Sequence, residues 1–193
     1  MMRSVPVVLL AAVLALGQQP ADTHSPAFRS MQQKIVHLKQ NADRPHPDPK
    51  PTELTEAEAN AFFAEGGVKL PKGVSRVQLA SQPGVLDGHA QVDFAEIMRG
   101  KGSSSPLLAL FSGTHEVHMV AQAGGSNGTG TIRAQSVYLD GVEVPQMALQ
   151  FFAQHYITPR YPNVGVTSTF KLPLRIDSAV VESGRVRLLQ HER

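Results

Sequence analysis

The residues with the most direct claim to chemistry are His115-Glu116-Val117-His118, one residue short of the H-E-x-x-H spacing by which zinc proteases hold their metal. That motif needs a helix to bring both imidazoles to one face. Here Thr114 to Ala123 alternates as a strand does, with Val117, Met119, Ala121 and Ala123 on one side. Two histidines three apart on a strand point to opposite faces and cannot share an ion, so no metal site is expected from this run. The eight histidines read as scattered surface or strand residues. Cysteine is absent, which excludes disulfides, a thiolate nucleophile, Cys-ligated zinc and a lipidated cysteine.

A serine nucleophile fares no better. No G-x-S-x-G elbow occurs, Gly113-Thr114-His115 offers no paired base, and Ser103–Ser105 and Ser112 sit in loop-like sequence. Gly124 to Gly130 is glycine-rich but lacks the lysine and following helix of a phosphate loop, and reads as a hairpin loop. Asp93, Glu96, Asp140, Glu143, Asp177 and Glu182 fall at turns or outward strand positions, and the sequence pairs none of them. Asn60 suits a hydrogen bond to a neighbouring loop better than catalysis. The expectation is a protein that is not an enzyme and needs no cofactor.

The elements that must position these residues fall into three parts. Met1 to Gly17 carries Arg3 as its only charge, then an apolar run from Val5 to Leu16, with Ala15-Leu16-Gly17 as a cleavage site before Gln18. The run is short of the roughly 20 residues a spanning helix needs, so 1–17 reads as a secretory signal. Residues 18–53 then form a tail, a short helix and a linker. Phe28, Met31, Ile35 and Leu38 recur at helical spacing, suited to docking on the domain or to peripheral contact with a membrane surface. Asp43 to Pro51 has four prolines in nine residues and favours an extended polyproline spacer.

The domain proper is expected over 54–193. Thr55 and Glu58 have the spacing of a capping box for a helix that ends at Gly66-Gly67. Strands follow over Val74–Ala80, Val85–Phe94, Thr114–Ala123 and Thr129–Leu139, with a short helix candidate at Pro106–Phe111. Asp140-Gly141 supplies positive φ for a type I′ hairpin, Val142 to Val144 return, and Pro145 ends the strand. From Gln146 the period becomes helical, placing Leu149, Phe152, Ala153 and Tyr156 on one face. Strands over Val166–Leu172, Leu174–Val181 and Arg185–Gln190 close the chain. The class is α+β: a meandering antiparallel sheet with two or three helices packed on one face.

Composition narrows the partners. The formal charge of +2 falls to +1 when Arg3 leaves with the signal, and tryptophan is absent. Neither the charge nor the few aromatics favour nucleic acid. A hydrophobic fraction of 41% lets an exported chain without disulfides rely on core burial.

Several phrases in order resemble a family. Leu54-Thr55-Glu56-Ala57-Glu58-Ala59-Asn60 is similar to the opening of small exported envelope proteins. Leu70-Pro71-Lys72-Gly73-Val74, the run 84–94 and the closing 173–188 continue the likeness. Together they resemble the YpmS-like and LmeA-like proteins, relatives of the AsmA-type envelope proteins, over about 54–189. The resemblance implies a curved antiparallel sheet with helices along it, enclosing an apolar groove for lipid acyl chains. The chain departs from that pattern in its proline spacer, its extra N-terminal helix and the lack of an evident retained anchor.

The residues leave two readings of the apolar face. Val92, Phe94, Val117, Met119, Ile132, Ala134 and Tyr138 are expected inward. If Phe62, Phe63, Leu149 and Phe152 fill the space above them, this is a core. If Ala90, Ala121, Ala123 and Ala134 leave room, the remainder is a groove. Candidate groove residues are therefore Phe62, Phe63, Met119, Ile132, Tyr138, Leu149 and Phe152. The first functional expectation is a periplasmic or extracellular envelope protein binding lipid or another hydrophobic molecule. The alternative is a non-enzymatic scaffold that grips an envelope protein through a sheet edge or the N-terminal helix.

Overall fold

The structure is a computed structural model that describes residues 23–98, 113–158 and 165–191. The expected signal at 1–17, the Pro106–Phe111 helix, Ser103–Ser105 and Ser112 lie outside the described residues.

Nine strands form one antiparallel sheet: β1 (Thr52–Thr55), β2 (Val74–Gln82), β3 (Val85–Asp93), β4 (Thr114–Ser126), β5 (Thr129–Leu139), β6 (Val142–Glu143), β7 (Thr167–Lys171), β8 (Ile176–Glu182) and β9 (Arg185–Gln190). Among the described residues four helices accompany it: α1 (Pro26–Ala42), α2 (Glu56–Ala64), α3 (Phe94–Met98) and α4 (Gln146–Phe152), the last running into a π-helical turn at Ala153–Ile157. The α+β class with a meandering antiparallel sheet is as expected. Its order is β1-β9-β8-β4-β3-β2, with β5 beside β4 and carrying β6 and β7 on its other edge. Beyond the β2–β3 turn, β8 takes up the same edge of β4 at Gly125–Ala179.

Local chemistry accounts for most boundaries. Thr55 Oγ1 accepts from the Glu58 N–H while the Glu58 carboxylate accepts from the Thr55 N–H, the reciprocal capping box that starts α2. Asp140 (φ 48°) and Gly141 (φ 80°) make the β5–β6 turn as the type I′ geometry requires. Phe94, read as the end of β3, opens α3 instead, because Asp93 Oδ1 accepts from the Glu96 N–H and caps a helix there.

The glycine-rich run is strand rather than loop. β4 continues through Gly124 and Gly125, and only Asn127-Gly128 turns. A Cβ on Gly125 would come within 2.8 Å of Leu172, and one on Gly130 within 2.8 Å of Phe170. These glycines let the side chains of β7 and the residue after it lie flat across the hairpin.

The N-terminal helix is part of the domain, so the proline segment does not space it away. α1 lies antiparallel along α2: Ser25 N–H donates to Glu65, Phe28 packs on Phe62 at 5.1 Å, and Ser30 and Lys34 reach Glu58. The Glu65 carboxyl is held below its ordinary range by the Ser25 hydrogen bonds and by His24. At the far end, buried Asn41 exchanges hydrogen bonds with the Asp48 backbone, and its amide also donates to Gln190 Oε1. Gln190 in turn donates to Leu38 O and Leu174 O. The segment 43–51 is thus tied down, with Pro47 buried, and it delivers the chain to β1 beside β9.

Candidate functional site

The register of β2, β3 and β4 sorts their side chains onto two faces. Val74, Leu79, Leu86, Ala90, Val92, Val117, Met119 and Ala121 share one face; Asp87, His89, Gln91, Glu116, His118 and Val120 share the other. Helices cover only parts of the apolar face. α1 and α2 lie over Leu79 and Leu86, leaving an open apolar pocket of about 170 Å³ with Met31, Leu54, Ala59 and Val186. α4 stands at the opposite end, where Phe152 meets Phe94 edge-on at 5.6 Å. Between them the apolar row is only half-buried, and Met119 keeps 37% of its surface.

Alongside α2 this face opens into a cleft of about 640 Å³, lined by Asn60, Ala61, Phe63, Ala64, Leu70, Val74 and Val77 with Ser75, Arg76 and Gln78 at its rim. Its volume lies within the roughly 300–1,000 Å³ typical of small-molecule sites, whereas the pocket under α1 falls below it. β2 bulges at the cleft, between Ser75 and Gln78, where Arg76 takes φ 50°. Asn60 closes one wall by exchanging hydrogen bonds with both backbone groups of Leu79, at 2.7 and 2.9 Å. Glu56, one helical turn earlier, accepts from the Ser81 N–H and hydroxyl. Asn60, expected to bond a neighbouring loop, satisfies a sheet edge instead.

The seven expected groove residues do not converge. Phe63 lines the cleft. Phe62 packs on Phe28 between the two helices. Met119 lies in the half-open apolar row, and Ile132, opposite Ala123, continues the same face. Phe152 and half-buried Leu149 belong to the α4 end. Tyr138 is on the other face. The cause is a bulge: Ala134 pairs with Ala121 but Ser136 pairs with Val120, so Gln135 is extra and the alternation reverses. Val137 and Leu139 therefore take the apolar positions beside Met119 and Val117, and Tyr138 stacks on His118 at 5.2 Å.

That second face holds a polar cluster. His89 and His118, cross-strand partners, stack with ring centroids 4.1 Å apart and planes 3° from parallel. Asp87 Oδ1 lies 3.0 Å from His118 Nε2 and 3.3 Å from His89 Nε2, while His89 Nδ1 lies 3.3 Å from Glu116 Oε1. His115 is on the apolar face, as strand alternation requires, with Nδ1 2.6 Å from Asp140 Oδ2. This contact, with the Glu116 N–H, holds the Asp140 carboxyl below its ordinary range. The cluster was invisible from the His115–His118 spacing; Asp87-x-His89, two residues apart on one strand, was the available signal.

No family model, characterised protein or solved structure matches this chain. Among the described residues, no helix is long and apolar enough to cross a membrane.

Proposed function

We propose that this chain is an exported envelope protein that binds lipid or another hydrophobic molecule in the cleft between α2 and the sheet. The observation carrying this reading is the cleft itself: about 640 Å³, floored by Val74 and Val77 and walled by Phe63 and Leu70, at one side of an apolar sheet face left half-buried. Entry of an acyl chain would be driven by burial, worth about 0.8 kcal/mol per CH₂. Arg76 at the rim suits an anionic or polar headgroup that remains in water. The likeness of 54–189 to YpmS-like and LmeA-like proteins, and the signal-like first 17 residues, support the same reading.

The scaffold alternative has less to support it. Phe28 of α1 is used on Phe62 of α2, and Asn60 and Glu56 cap the free edge of β2 at Leu79 and Ser81. Displacement of a fluorescent fatty acid by phospholipid tests the proposal. Saturable uptake is expected, lost in Phe63→Asp and in Val77→Asp while the far-ultraviolet circular dichroism is kept. Uptake that is absent, or indifferent to both substitutions in folded protein, would overturn it.

A further inference from the structure

We propose that Asp87, His89 and His118 form a binding site for a divalent transition-metal ion, with Zn²⁺ as the best fit. The three side chains project from adjacent strands to the same face, and one donor atom from each lies within 4.8 Å of the others. Oxygen and nitrogen donors bound about 2.0–2.1 Å from a tetrahedral Zn²⁺ stand about 3.3 Å apart. Asp87 Oδ1 already lies 3.0 and 3.3 Å from the two Nε2 atoms. The terminal torsions of histidine are soft, so both imidazoles can turn their Nε2 lone pairs toward one ion without moving the strands.

The surroundings fit the same use. Glu116 faces His89 Nδ1, the arrangement by which a carboxylate fixes a ligating imidazole in the Nδ1–H tautomer and frees Nε2. Tyr138 stacks on the outer side of His118, so His89, His118 and Tyr138 form one row across β3, β4 and β5. Gln135 is what brings the tyrosine there, since without the bulge its ring would point to the apolar face. Two nitrogens and one oxygen favour zinc and its neighbours over magnesium or calcium, which demand oxygen shells. Three protein ligands leave a position for water or an outside ligand. The site lies on the face of the sheet opposite Val74 and Leu79; Gln78, at the rim of the cleft, is the cross-strand partner of His89, and no ligand atom of the site lines the cleft.

Zinc titration of the tag-free chain by calorimetry, against a competing chelator, tests the proposal. One Zn²⁺ per chain is expected. His89→Asn and His118→Asn should each abolish it with the circular dichroism unchanged, Glu116→Gln should weaken it about 10–100-fold, and His37→Asn, on the exposed side of α1, should leave it intact. If a variant loses its fold, Co²⁺ loading of the wild type decides. Four-coordinate visible bands support the site, and a hexaaqua-like spectrum contradicts it. No stoichiometric uptake by the wild type, or uptake retained in both folded histidine variants, would overturn the proposal.

Discussion

Glu58 is the residue through which α1, α2 and the chain entering them are joined, and replacing it with glutamine probes that junction directly. Its carboxylate is buried, at 7% exposure, yet accepts from Lys34 Nζ at 2.6–2.7 Å, Ser30 Oγ at 2.5 Å, the Thr55 N–H at 2.8 Å and Thr55 Oγ1 at 3.0 Å. Burial alone would raise its pKa; the Lys34, Ser30 and Thr55 hydrogen bonds outweigh it and lower the group from its ordinary 4.5 to about 2. At about 1.4 kcal/mol per tenfold change, the ionised form gains roughly 3 kcal/mol in the folded state. Because the folded value is the lower one, this stability is complete above pH 4.5 and is lost as pH falls from there toward 2. Glu58→Gln keeps the shape of the protonated acid and one capping acceptor but has no charge for Lys34. Urea denaturation at pH 7 should therefore show the variant less stable by roughly 3 kcal/mol, or about 6–12 °C in Tm for a chain of this size. The gap should narrow steadily below pH 4.5, since the wild type then becomes the protonated form that glutamine imitates. A difference below about 1 kcal/mol at pH 7, or one that does not change with pH, would refute the reasoning.

Asn41→Ala strips partners from the Asp48 backbone and from Gln190, and is expected to cost roughly 2–4 kcal/mol in denaturant titrations. It should also speed proteolysis between α1 and β1. Asn60→Ala uncovers both backbone groups of Leu79 on the β2 edge; a loss of about 1–2 kcal/mol is expected, with faster hydrogen exchange at the Leu79 amide. Gly130→Val drives a side chain into Phe170 and Leu172, and should destabilise by about 1–3 kcal/mol while loosening β7.

What could be read from the sequence was whatever depends on neighbours in the chain. Thr55 and Glu58, Asp140-Gly141 and the period-two runs of β2 to β5 each specify their own conformation, and the α+β class follows from their order. Long-range pairing left no such trace. Thr52–Thr55 pairs with Arg185–Leu188, and neither the four-residue strand nor the docking of the proline segment has a local signature. Tyr138 illustrates the sharper limit. Strict alternation places it beside Ile132 and Ala134, and one bulged residue, Gln135, reverses the phase. The register of β3 on β4 determines that His89 meets His118 rather than His115, so the polar cluster depends on a strand pairing that spacing does not encode. Of the expected groove residues, Phe63 reached the cleft because its helix is anchored by local rules; Leu70 and Val74 join it from the start of β2, and Val77 from within the β2 bulge.

The central claim is that the cleft beside α2 holds a hydrophobic molecule. Native mass spectrometry of the protein purified from an envelope-containing host, with extraction of co-purifying lipid, tests it most directly. The account predicts a stoichiometric lipid mass that disappears in Phe63→Asp. A clean apo mass, with no uptake from added phospholipid, would contradict it.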